Sequence, residues 1–150
     1  MKKRHLVIII CAAALVIGCA TVPLASADLD AAAKTFTPPE GKANIYVARG
    51  MGYVGGAASF QIVVDGRMLG NIAPGTFYVV TCDPGSRTVA AMCQWNTAKA
   101  NVDVEAGKNY FFDAGWHMGL ITGQAAVSQV GEDDGKKLVQ QCKRAESLID

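Results

Sequence analysis

Few residues in this sequence have side chains that could carry chemistry at a useful spacing. His117 stands in the segment Gly-Trp-His-Met-Gly, and the second histidine, His5, lies in an N-terminal stretch that we expect to be removed. One histidine cannot build a His-rich metal site, and no second ligand lies at a suitable distance along the chain. We therefore expect no metal and no cofactor, and we interpret His117 as a surface residue between strands.

A catalytic role for His117 would need a nucleophile and an orienting acid beside it. The side chains available elsewhere are Cys82, Cys93, Cys142, Asp103 and Asp113. No spacing places them together. The acidic run at residues 132–134 lacks the alternation of a calcium loop and suits the start of a helix. The sequence holds no recognisable catalytic set, so we predict that the protein is not an enzyme.

Aromatic and arginine side chains dominate binding hot spots, which makes a small group of residues candidates for a recognition surface. The group consists of Arg49, Tyr53, Trp95, Trp116 and His117. We do not expect their loops to share one end of the fold. Packing at the core or rim is the alternative role for each tryptophan.

The N-terminus is typical of an export signal. Basic residues at positions 2–4 precede an apolar run, residues 6–17, which is too short to span a bilayer. Val-Ile-Gly-Cys then resembles a lipobox, so residues 1–18 are a predicted lipoprotein signal peptide and Cys19 a predicted lipidation site. Cleavage after Ala27, in Ala-Ser-Ala, is the alternative and would leave a soluble periplasmic protein.

Charge excludes one class of partner. Three of the 14 basic residues lie in the signal, which leaves 11 against 13 acidic residues and no basic patch for nucleic acid. The glycine-rich loop at residues 50–58 also lacks the lysine and hydroxyl residue that end a phosphate-binding loop.

Three cysteines, Cys82, Cys93 and Cys142, remain in the folded region under either cleavage, so at least one of these thiols is unpaired or bridges two chains. Cys142 lies on the apolar stripe of a predicted final helix that must dock on the sheet. We therefore favour Cys93–Cys142 if a bridge forms, then Cys82–Cys142. Three reduced, buried thiols are the alternative.

Short strands separated by glycine, proline and aspartate predict a mainly β protein, an antiparallel β-sandwich of about seven or eight strands. Asp65-Gly66 predicts a tight hairpin, and residues 75–95 predict a central hairpin reversing at Pro84-Gly85. We expect a flexible tether at residues 19–39, the sandwich at residues 40–131, and one C-terminal amphipathic helix within residues 132–150 that packs on it.

Several motifs between residues 41 and 112 resemble a known family. They are Gly-Lys-Ala-Asn-Ile-Tyr-Val-Ala-Arg at residues 41–49, Val-Asp-Gly at 64–66, Gly-Thr-Phe at 75–77 and Ala-Gly-Lys-Asn-Tyr-Phe at 106–111. Together they resemble the bacterial lipoprotein family called domain of unknown function 2846. The resemblance implies a fold similar to prealbumin-like and carboxypeptidase-regulatory-like sandwiches, a lipobox in many members, and no assigned activity.

We therefore expect a non-catalytic lipoprotein of the bacterial cell envelope, held to a membrane by its N-terminal lipid. Its sandwich would serve as a structural module or contact an envelope protein, peptide or glycan. The alternative is a soluble periplasmic enzyme or inhibitor with a site on the loops at residues 50–58 and 116–122.

Overall fold

The computed structural model describes residues 21–52, 58–118 and 122–149, and within these ranges the chain is mainly β. Two helices and nine strands follow one another along it. In chain order they are α1 (Ala27–Ala33), β1 (Ala43–Arg49), β2 (Phe60–Val64), β3 (Arg67–Ile72), β4 (Thr76–Cys82), β5 (Gly85–Met92), β6 (Thr97–Val104), β7 (Asn109–Met118), β8 (Gly123–Val130), α2 (Glu132–Gln141) and β9 (Lys143–Arg144).

The strands form two sheets. The first sheet has the order β8-β7-β1-β4-β9, and the second has the order β3-β2-β5-β6. Every pairing in the second sheet is antiparallel. In the first sheet β1 runs parallel to β7, and β4 runs parallel to β9. The expectation of a purely antiparallel fold is therefore wrong for the first sheet.

Strand β1 lies at the centre of the first sheet, and all seven of its residues are buried. Ile45 and Val47 face a core that both sheets share. Tyr46 and Ala48 face the opposite way, into a smaller cluster that the two helices cover. Because side chains alternate across a strand, β1 needs apolar residues on both faces to bind both layers.

The connection between β2 and β3 confirms the predicted tight hairpin. Asp65 and Gly66 have φ of 48° and 76°, the positive values that a two-residue turn of this kind requires. Val64 pairs with Arg67 across it.

The predicted central hairpin is wrong, although both of its strands exist. β4 pairs with β1, so that Val80 lies opposite Ile45, whereas β5 pairs with β2 and β6 in the other sheet. Asp83 and Pro84 carry the chain from one sheet to the other, and Val80 and Val89 both pack in the shared core. Two strands with apolar residues on both faces can pair as a hairpin or lie in different sheets, and here β4 pairs with β1 while β5 pairs with β2.

The C-terminal helix is shorter than predicted, because α2 ends at Gln141 and the chain becomes extended. This extended segment pairs with the edge of β4. The N–H of Lys143 donates to Gly75 O over 2.9 Å, and that of Ala145 donates to Phe77 O over 2.9 Å. The N–H of Leu148 then donates to Leu69 O on the second sheet over 2.8 Å. Residues 143–149, here called the strap, thus connect the two sheets along their open side.

The segment expected to be a flexible tether is instead part of the fold. Residues 22–34, here called the arm, contain α1 and run along the strap. Val22 packs against the shared core, and Leu24 forms an antiparallel bridge with Ala145. The N–H of Ala25 donates to Arg144 O over 3.0 Å. Cys19 and the signal segment lie outside the described residues.

Candidate functional site

Four of the five predicted recognition residues lie at the same end of the molecule, contrary to expectation. Arg49 ends β1, and Trp116 and His117 lie near the end of β7, which runs parallel to β1. Trp95 lies in the β5–β6 loop, which follows Met92 at the level of Gln61 near the start of β2. The fifth residue, Tyr53, lies outside the described residues.

A stack of three side chains supports this loop end. The guanidinium of Arg49 lies 4.9 Å from the ring centre of Phe60, and the indole of Trp116 stacks on Phe60 with ring centres 6.3 Å apart. Arg49 Nη1 also donates to Ala58 O over 2.6 Å and to Ile72 O over 3.3 Å. Arg49 is only 4% exposed, and this burial lowers its pKa. Its main role is therefore to join the ends of the two sheets.

A cleft of about 400 Å³ opens beside this stack, and we call it the loop-end cleft. Its lining residues are Arg49, Gly50, Met51, Gly52, Asp113, Ala114, Gly115, Trp116 and Leu138. Gly115 keeps the space open, since no atom lies within 4 Å of where its Cβ would stand. Gly123 makes room for Trp116, because a Cβ there would collide with the indole.

Asp113 supplies the acidic group of the cleft. It lies beside Ala48 of β1 and Ser128 of β8, on the same face of β7 as His117 four residues later. Desolvation by the surrounding protein raises the pKa of Asp113, and the charge of His117 acts in the opposite direction. Asp113 is exposed and lines the cleft, so its carboxyl can accept a hydrogen bond from a ligand.

Trp95 stands at the rim of the same end, on a loop that is firmly held. Asn96 Nδ2 donates to Ala125 O, and Ala125 N donates to Asn96 Oδ1, each over 2.8 Å. Trp95 itself is 61% exposed. The sequence analysis did not identify Asn96 or Phe60. An asparagine in a four-residue loop, however, often fixes the loop through side-chain hydrogen bonds to backbone groups.

Cys82, Cys93 and Cys142, the cysteines of the part of the chain that the structure describes, are free thiols, so neither predicted bridge to Cys142 is formed there. Cys142 is buried, and its Sγ donates to Arg49 O over 3.4 Å. Burial raises the pKa of Cys142 to about 11. Cys93 lies at the loop end, where its Sγ donates to Asn96 Oδ1 over 2.9 Å. Burial raises the pKa of the Cys82 thiol, against the effect of Arg87.

The described residues contain no group of three histidine, cysteine or acidic side chains placed to hold a metal ion. None of the helices among them is long and apolar enough to cross a bilayer.

Comparison with known proteins gives a family and one relative. An uncharacterised protein of Haemophilus influenzae is 33% identical over 140 residues, which cover 93% of this chain and 83% of the relative. No solved structure matches. The family profile spans residues 39–128, from just before β1 to near the end of β8, so the arm, α2 and the strap lie outside it. The chain therefore belongs to the family described as protein of unknown function DUF2846.

Proposed function

We propose that the protein is a non-catalytic lipoprotein of the bacterial cell envelope. Cys19 carries the lipid, and the two-sheet domain is a β-sandwich that presents its loop end to a protein or peptide partner. The exported chain has 11 basic and 13 acidic residues, a balance that does not favour nucleic acid as the partner.

The observation that carries the proposal is the integration of the arm into the fold. Cleavage after Ala27 would remove Val22 from the core and Leu24 from its bridge with Ala145. It would also remove Ser26, whose Oγ accepts from Leu29 N at the start of α1 over 3.4 Å. Cleavage before Cys19 keeps all these contacts, so the packing favours the lipobox over the alternative site.

The shape of the loop-end cleft suits an extended peptide. Its volume of about 400 Å³ lies within the range of small ligand sites. Gly50 and Gly115 let a backbone approach the sheet closely, while Met51 and Leu138 offer apolar contact. The carboxyl of Asp113 can accept a hydrogen bond from an N–H or cationic group.

Mass spectrometry of the mature N-terminus, on protein expressed from its own signal in a bacterial host, tests the anchor. We expect an N-terminal peptide that begins at Cys19 and carries acyl chains. An unmodified peptide that begins at Asp28 would refute the lipoprotein proposal. Cys19→Ser is the matched control, because it removes the acceptor thiol without touching the described fold.

A soluble enzyme or inhibitor with a site on the two loops is the second candidate. The observation that favours it is the cleft itself, which joins residues 50–52 to Trp116 and to an Asp113 whose pKa is raised. Cys142 does not supply a nucleophile to this cleft, since a thiol with a pKa of about 11 is protonated at neutral pH. A hydrolytic activity lost in Asp113→Asn and retained in Cys142→Ala would favour this candidate over the binding module.

A further inference from the structure

We propose that the surface formed by the arm and the strap lies against the lipid headgroups of the membrane, with the β8 edge turned away from it. We call this surface the arm–strap face. The proposal rests on the lipid anchor of the proposed function and adds to it a fixed orientation of the domain.

The distance between the anchor and the fold is the first argument. Val22 already packs against the shared core, and it follows Cys19 by three residues. Three residues span at most about 11 Å even when fully extended. The lipid attachment point is therefore confined to the neighbourhood of Val22, and the domain cannot turn freely above the bilayer.

The second argument is the placement of exposed leucines. Leu24, Leu29 and Leu148 are 48%, 47% and 72% exposed. The other exposed large apolar side chains among the described residues lie at the loop end or on β3 and β5, and they are Met51, Met68, Met92, Trp95 and Met118. All three leucines belong to the arm or the strap. Leu24 lies opposite Ala145, and Leu29 O accepts from Arg144 Nη1 over 3.5 Å. Single exposed apolar residues are ordinary, but several around one attachment point are typical of a contact surface.

Charges on this face nearly cancel. Lys34 is paired with Asp30 over 2.7 Å, and the cations Lys143 and Arg144 are matched by Asp28 and Glu146. Charge attraction to anionic lipid therefore contributes little. Leucines at the interface bind through the apolar area that they bury, so neutral lipid is sufficient and salt has little effect.

The order of strands determines which side points away. β9 of the strap and β8 are the two edges of the first sheet, four strand spacings or roughly 19 Å apart. Trp116 lies on β7 next to β8, and the loop of Trp95 is bonded to Ala125 on β8. Both native tryptophans thus lie on the side remote from the arm–strap face.

Quenching of tryptophan fluorescence by brominated lipid tests this orientation. The full lipidated protein is reconstituted into phosphatidylcholine vesicles with and without brominated acyl chains. Leu148→Trp places a reporter on the arm–strap face, and Gln129→Trp places a matched reporter on the exposed part of β8. We expect quenching of the added fluorescence in Leu148→Trp and none in Gln129→Trp or in the wild type, with the same result in high salt.

The outcomes separate the two proposals. The N-terminal mass is measured before reconstitution, and protein without acyl chains on Cys19 refutes the proposed function itself. Lipidated protein in which Leu148→Trp is not quenched, or in which Gln129→Trp is quenched as strongly, refutes only the orientation. Leu29→Trp serves as a second reporter on the same face, and it must agree with Leu148→Trp for the proposal to stand.

Discussion

The carboxylate of Asp30 binds the N-terminal helix to the C-terminal strap. Its Oδ1 accepts from the backbone N–H of Arg144 over 2.7 Å, and its Oδ2 accepts from Lys34 Nζ over 2.7 Å. Lys34 Nζ also donates to Cys142 O over 2.7 Å. Burial raises the pKa of Asp30, but the hydrogen bonds from Lys34 and Arg144 outweigh it, so the pKa falls below its ordinary value.

We expect Asp30→Asn to lower the free energy of unfolding at pH 7 by about 1 to 3 kcal/mol, because two charge-assisted hydrogen bonds are weakened. A carboxyl whose pKa is lowered by folding stabilises the fold above its unfolded pKa, near 3.8, and loses this effect as the pH falls through the folded value. Urea unfolding at pH 7 measures the loss of stability, and urea unfolding below pH 3 measures its dependence on pH. The difference in the free energy of unfolding between Asp30→Asn and the wild type should disappear below pH 3.

Asp28→Asn is the matched control for Asp30→Asn, because Asp28 lies in the same helix and is exposed. We expect it to change the free energy of unfolding by less than about 1 kcal/mol, the usual limit for a surface charge near a helix start. Equal effects of the two substitutions would contradict the role assigned to Asp30.

Gly135 lets α2 approach the first sheet closely. A Cβ at this position would overlap the Cβ and Cγ of Phe111. Alanine favours a helix over glycine by about 1 kcal/mol, but overpacking costs about 1 to 3 kcal/mol. We expect Gly135→Ala to be destabilising in thermal unfolding, whereas Gln140→Ala, on the exposed side of α2, should be neutral or slightly stabilising. A stabilised Gly135→Ala would mean that α2 packs less closely than described.

The three thiols should react in a fixed order. Burial raises the pKa of Cys93, but the backbone N–H groups of Ala125, Trp95 and Asn96 outweigh it and lower the pKa. Cys142, with a pKa of about 11, has roughly one thiolate in a thousand at pH 8. Pulsed alkylation with peptide mapping should therefore label Cys93 first and Cys142 last.

In denaturing urea the difference between the thiols should disappear, which serves as the control for peptide detection. Rapid labelling of Cys142 in the folded protein would contradict its burial. A disulfide-linked Cys93–Cys142 peptide in a non-reducing map of protein from the envelope would show that the predicted bridge forms, although both thiols are free in the structure.

Gly115 offers a way to close the loop-end cleft without disturbing the core. Valine suits a strand, and the space around the position is empty. We expect Gly115→Val to fold normally and its yield of cross-links to envelope partners to be at least tenfold lower than that of the wild type. Thr97→Val, exposed on β6 of the second sheet, should retain it. Unchanged cross-linking in Gly115→Val would place the partner elsewhere.

Local patterns in the sequence predicted the strands well. Asp65-Gly66 requires positive φ, so the β2–β3 hairpin could be derived from two residues. β1, at Ala43–Arg49, lies within the motif at residues 41–49 that carries the family resemblance. Strand pairing was less predictable. Val80 and Val89 could contact each other as neighbours in one sheet or from two sheets across the core. The choice depends on whether β4 and β5 pair with each other or with β1 and β2, which the local sequence does not reveal.

The end of the chain shows why helix periodicity alone was insufficient. Leu138, Cys142, Ala145 and Ile149 recur at helical spacing, and all four do pack inward. Beyond Cys142, however, the unpaired backbone edge of β4 offers hydrogen bonds that an isolated helix terminus lacks. At the candidate site, Arg49 was identified from its residue type, but its burial beside Phe60 depends on contacts that join different sheets.

The contact between Asp30 and Arg144 also determines when folding can finish. It joins residues 114 positions apart, and the parallel pairing of β1 with β7 is long-range as well. A chain that is secreted from its N-terminus therefore leaves the export channel with its arm unpaired and the β4 edge uncovered. Native pairing of that edge has to wait until Lys143 and Arg144 have crossed, so the unfinished protein is open to aggregation or proteolysis during export.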